Sequence, residues 1–103
     1  MARSTYEKLT VSNSVKTLTL AKYSGQQECL ITAEATNGLR YTLDGTAPVA
    51  ATTGHLLPGS GTLRLVGKDM MASLKMIREG GSDAVIHVTY CRMGTSLEVQ
   101  AAV

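Results

Sequence analysis

The chain has 103 residues and a formal net charge of +2, with ten Lys and Arg against eight Asp and Glu. That length argues for one domain, and so weak and scattered a charge gives no basis for a nucleic-acid partner. Hydrophobic residues make up 44% of the chain, which excludes disorder of the whole. With no Trp, no Phe and four Tyr, the core has to come from Leu, Val, Ile, Met and Ala.

The N-terminal "MARSTYEKLTVSNS" lacks the apolar run of a signal peptide, and no stretch reaches the roughly 20 apolar residues of a membrane span. Export by the standard route and a membrane partner are therefore not expected. The first periodic segment is "VKTLTLAKY": Val15, Thr17 and Thr19 face one side of a strand, Lys16, Leu18 and Leu20 the other. "ECLITAEA" places Cys29, Ile31 and Ala33 inward, with Glu28, Leu30, Thr32 and Glu34 on a wetter face. "GLRYTL" turns Leu39, Tyr41 and Leu43 inward against Arg40 and Thr42.

Asp44-Gly45 then ends that strand, because glycine takes the positive φ of a tight turn without steric cost. Pro48 forces Ala47 into an extended conformation. "VAATTGHLLPGSG" reads as a surface-crossing loop that dips Leu56 and Leu57 toward the core. A long ordered loop in a small domain is usually functional or pinned by a neighbour, so Asp44, Gly45, Pro48, Gly54 and His55 are the candidate residues of a structural turn and loop.

"TLRLVG" buries Leu63 and Leu65. In "KDMMASLKMIREGG" two readings compete: one short helix starting at Asp69, or a helical turn near 69–73 and a strand Ser73–Arg78. The second is favoured, with "EGGSD" closing a hairpin onto "AVIHVTY", whose Ala84, Ile86, Val88 and Tyr90 point inward and Val85, His87 and Thr89 outward. The methionines of this stretch fit adaptable core filler. "SLEVQ" offers a last pair, Leu97 and Val99. Thirteen Thr alongside many Val, Leu and Ile suit pleated, half-buried surfaces. The expected fold is all-β: a single β-sandwich over 1–103, jelly-roll-like, of short antiparallel strands, with arms at 1–10 and 95–103 that order on a partner. Alternation alone does not choose a jelly-roll strand order over an immunoglobulin-like one.

The chemistry is sparse. His87 reads as a partly exposed strand residue, and His55 as a side chain that hydrogen-bonds the loop backbone. No metal-ligand spacing, phosphate-binding loop or nucleophile motif occurs, so no cofactor, no metal and no enzymatic activity are expected. Cys29 and Cys91 read as small buried hydrophobes in a reducing compartment; a bridge between them needs their strands to be neighbours.

The run "RYTLDGTAPVAATTGHLLPGSGTLRLVG…MASLKMIREGGSDAVIHVTY" resembles a family of short proteins encoded in tailed-phage and prophage genomes, marked by a YTLDGTAPTA-like turn and a TGHLL loop. The resemblance spans Ile31–Tyr90, with Val49 where the pattern has Thr. It implies a virion structural protein, located in the virion after assembly in the host cytoplasm. A capsid cement or decoration subunit is the foremost expectation, with the major capsid protein or other virion proteins as partners and a dimer or trimer as its own state. A neck or tail component is the alternative. A shorter similarity links "YTLDGTAP" to a turn of accessory β-sandwich domains in secreted glycosidases and implies carbohydrate or host-surface binding. The lack of Trp and Phe weighs against that, since sugar platforms are built from exposed aromatic rings.

Overall fold

A computed structural model describes residues 4–50 and 52–92. The described residues form eight strands: β1 (Ser4–Val11), β2 (Lys16–Thr17), β3 (Glu28–Ala33), β4 (Leu39–Thr42), β5 (His55–Leu57), β6 (Thr62–Val66), β7 (Lys75–Arg78) and β8 (Ala84–Cys91). Two short helices interrupt them, α1 (Leu20–Tyr23) and α2 (Lys68–Ser73).

The strands pair as a nested ribbon. β1 lies against β8, β2 against β7, β3 against β6 and β4 against β5, all antiparallel. The ribbon then rolls up, so that β8 also joins β3 and β7 also joins β4. The result is two four-stranded sheets, β1-β8-β3-β6 and β2-β7-β4-β5. Eight antiparallel strands wound this way into two facing sheets form a jelly roll, the expected all-β sandwich.

Alternation explains the core. Cys29, Ile31 and Ala33 of β3, Leu65 of β6, and Ala84, Ile86, Val88 and Tyr90 of β8 supply one inner face. Leu39, Leu57 and Met76 supply the other, with Leu18, Met71 and Leu74 filling the ends. Met71 and Met76 thus take the filler role expected of them, while Met70 is exposed. Each fully buried aliphatic chain contributes about 1.5–3 kcal/mol relative to exposure.

Several segments depart from their expected form. Residues 4–10 are not an arm: Ser4–Val11 pairs along its whole length with β8 and sends Leu9 and Val11 into the core. The 95–103 arm and Leu97/Val99 lie outside the described residues. "VKTLTLAKY" is only a two-residue strand followed by α1. Glu7, reaching from β1, accepts hydrogen bonds from the Thr19 hydroxyl at 2.7 Å and from the hydroxyl of Tyr90. The turn begun at Thr19 rotates Tyr23 inward, where its ring lies 6.5 Å from that of Tyr90, and leaves Leu20 outside. A strand would have kept Tyr23 in phase with Thr17 and Thr19.

The turn near 69–73 exists as α2, but β7 does not form a hairpin with β8. The two strands belong to different sheets. The 79–83 connection crosses from one layer to the other, with Arg78 donating to Asp83 at 2.7 Å across it. Sheets lie about 10 Å apart, which five residues span easily. Glu28, assigned to a wetter face, is buried and paired with Arg64 of β6 at 3.1 Å.

Cys29 and Cys91 are both buried. Their strands are neighbours, but Cys29 faces Tyr90 and Cys91 faces Glu28, one position out of register. Alternation sends the two thiols toward opposite faces of the sheet. Burial pushes the Cys29 thiol up to about 12 from 9.0. The unfolded chain therefore releases this proton first, and the stability it confers, complete below pH 9, is lost as pH rises from 9 toward 12. Tyr90, raised by burial and by Glu7, acts in the same direction. Denaturant midpoints are expected to hold up to pH 9 and fall above it, less steeply in Cys29→Ala.

Candidate functional site

The β4–β5 connection is anchored from three side chains that point outward from the second sheet. Tyr41 and Leu43 pack on the core, so Arg40 and Thr42 face away from it, and register puts Lys75 and Ile77 of β7 beside them. The Thr42 hydroxyl donates to the Thr46 carbonyl, Lys75 Nζ to the Gly45 carbonyl at 3.0 Å, and Arg40 Nη1 to the Gly54 carbonyl at 2.9 Å. Glu79 holds the same guanidinium through Nε at 2.6 Å. The loop therefore folds back over the outer face of the sheet, and Thr42, Pro48 and Ile77 are buried.

Within the loop, Asp44 behaves as its turn role requires. Its carboxylate accepts the Thr46 N–H at 3.0 Å, and hydrogen bonding to Thr46 holds its pKa below the usual carboxylate value. Gly45 takes a φ of +89°. Val49 and Thr53 close a small bridge with bonds of 3.0 Å in each direction. Gly54 sits where a Cβ would come 3.0 Å from the Tyr41 carbonyl and 3.3 Å from Pro48.

His55 is not a loop residue. It opens β5 opposite Tyr41, with the two rings 5.5 Å apart. Arg40, Lys75 and Thr42 satisfy the loop backbone instead, and none of them is in the TGHLL segment. Leu57 reaches the core as expected, but Leu56, its neighbour on a strand, points to solvent. Asp44, Gly54 and His55 do come together. With Thr42, Leu43 and Thr46 they line an open depression of about 510 Å³. Its hydroxyl and carboxylate groups are largely committed to holding the loop.

A second cluster was not legible in the sequence. On the outer face of the first sheet, the Tyr6 hydroxyl bonds His87 Nδ1 at 2.5 Å, and His87 Nε2 bonds Glu34 at 2.8 Å. Both ring nitrogens of His87 thus have partners, and these fix the orientation of the ring. His87 is partly exposed, as its outward position requires, but its partners come from β1 and from the end of β3. Among the described residues, no group of three or more His, Cys, Asp or Glu is placed to hold a metal ion, and no helix is long and apolar enough to cross a membrane.

Comparison with family models, with curated proteins and with solved structures gave no match to this chain.

Proposed function

We propose that the protein is a bacteriophage virion structural protein, a capsid cement or decoration subunit that stabilises contacts between major capsid protein subunits. The observation that carries this reading lies at the helical end of the sandwich. α1 packs on α2 and α2 on β6. Their outer surface leaves Leu20 62%, Val66 47% and Met70 38% exposed. Exposed apolar chains on elements that pack on one another beside an edge strand offer an adhesive surface, because the edge also offers backbone N–H and C=O groups for pairing. A neighbour that covers them gains burial energy at every copy, and repetition over a shell multiplies a small gain.

The YTLDGTAP and TGHLL motifs support the same reading indirectly. Their residues build the folded-back loop and the β5 edge, a rigid scaffold suited to presenting surfaces. The same adhesive end would serve a dimer or trimer of this chain. A neck or tail station remains the competing assignment, distinguished by a few copies per particle instead of hundreds.

The test is sedimentation of the purified protein with phage particles that lack it. Wild type is expected to co-sediment and to saturate at a copy number set by the shell. Leu20→Glu/Met70→Glu, with unchanged circular dichroism, is expected to bind at least tenfold more weakly, since two buried carboxylates cost more than about 1.4 kcal/mol. Equal binding by this variant would remove the proposed surface.

A further inference from the structure

We infer that the outer face of the β1-β8-β3-β6 sheet is a carbohydrate-binding platform built on Tyr6 and His87, for a neutral oligosaccharide of pyranose rings. The inference stands on this face alone and does not rest on the virion reading.

Tyr6 is 54% exposed, although it sits in the middle of a paired strand. Its ring and that of His87 are nearly parallel, at 17°, with centroids 5.9 Å apart. A hydroxyl bonded to the edge of the neighbouring ring requires the two rings to lie side by side, not one over the other. They form one extended, nearly flat aromatic surface. Glu34 fixes the far nitrogen of His87, so three strands hold the platform in one orientation. Such pre-organisation lowers the ordering cost of binding.

The negative π-face of an aromatic ring attracts polarised C–H bonds, which a pyranose presents on its flat face. The surrounding residues suit the hydroxyls at its rim. Lys8 lies opposite His87 on β1, Thr32 opposite it on β3, and Thr89 opposite Tyr6. Both charge signs are present, with Lys8 against Glu34. That mixture suits a neutral ligand, whereas single-stranded nucleic acid calls for a cationic track beside its stacking rings. The four Tyr therefore include one exposed platform residue, and Trp is not needed to make it.

The probe is saturation-transfer NMR with cellohexaose and with the hexamer of N-acetylglucosamine, on the full chain. At least one is expected to receive magnetisation from the Tyr6 ring protons at millimolar concentration. Tyr6→Ala is expected to weaken binding about tenfold, the equivalent of one aromatic stack. Tyr6→Phe keeps the ring and is expected to retain most of the affinity, which separates loss of the platform from loss of the fold. His55→Ala, at the loop depression, is expected to bind like wild type. Absence of transfer to both oligosaccharides overturns the inference. So does binding that survives Tyr6→Ala, or a Tyr6→Ala defect seen only in attachment to particles.

Discussion

Gly59→Ala is expected to destabilise the domain by about 3 kcal/mol, the upper end of what overpacking a tight contact costs. A Cβ at this position would lie 2.3 Å from the Ala35 carbonyl oxygen and 2.9 Å from its carbon. Both are backbone atoms and cannot swing aside. The surroundings are also closed: Ser60 N–H bonds the Ala33 carbonyl at 3.1 Å, Gly61 N–H the Pro58 carbonyl at 2.8 Å, and Ala33 N–H the Gly61 carbonyl at 2.9 Å. The 58–61 turn is thus laced to the end of β3 just before β6 begins. A domain of this length has a total stability of about 5–15 kcal/mol, so the loss is a large share of it and lowers Tm by on the order of 10 °C or more. Gly80→Ala is the control. No atom lies within 4 Å of its Cβ position. Its Tm should match or slightly exceed wild type. Thermal unfolding followed by circular dichroism checks both, and equal midpoints for Gly59→Ala and Gly80→Ala would contradict the packing described at this turn.

The second large effect concerns two neighbours on one strand. Ile31→Ala is expected to cost about 3–4 kcal/mol, and Leu30→Ala less than about 1 kcal/mol. Ile31 is fully buried between the layers, opposite Val88 on one side and Leu63 on the other. Truncation removes its apolar burial and leaves a cavity among strands that hydrogen bonds hold in place. Leu30 faces outward beside Thr89 and Arg64 and is only half-buried. Urea denaturation distinguishes them. Comparable losses would contradict the outward, half-buried position of Leu30.

The contrast between these residues also shows where the sequence was readable. β8 alternates from Ala84 to Tyr90, and β3 from Cys29 to Ala33, because each has one inner face and one outer face; period two is then visible to inspection. β7 does not alternate: Met76 and Ile77 are both buried. Met76 faces the core, while Ile77 is next to Arg40 under the folded-back side of the sheet. A strand covered on both faces loses its pattern, and its pairing with β4 and β2 instead of β8 lost its signal too. Pairing in a rolled ribbon is long-range, and local turn chemistry such as Gly80-Gly81 carries no information about which layer comes next.

The site divides in the same way. Asp44, Gly45, Pro48, Gly54 and His55 stood out because turn chemistry is local. Of the groups that pin the loop, Arg40 and Thr42 stand in the strand before it, but Lys75 and Glu79 come from β7 and the residue after it. Tyr6 and His87 are 81 residues apart. Only the β1–β8 register, which places Lys8 opposite His87 and Tyr6 one step along, brings their rings together.

We propose that this fold works by adhesion, strengthening a shell through contacts at its exposed apolar end. The temperature at which particles release their DNA tests it most directly, measured by dye fluorescence on particles without the protein, with it, and with Leu20→Glu/Met70→Glu added back. Release is expected several degrees earlier without the protein, with recovery on adding wild type and little or none with the variant. One common release temperature for all three preparations would contradict that role.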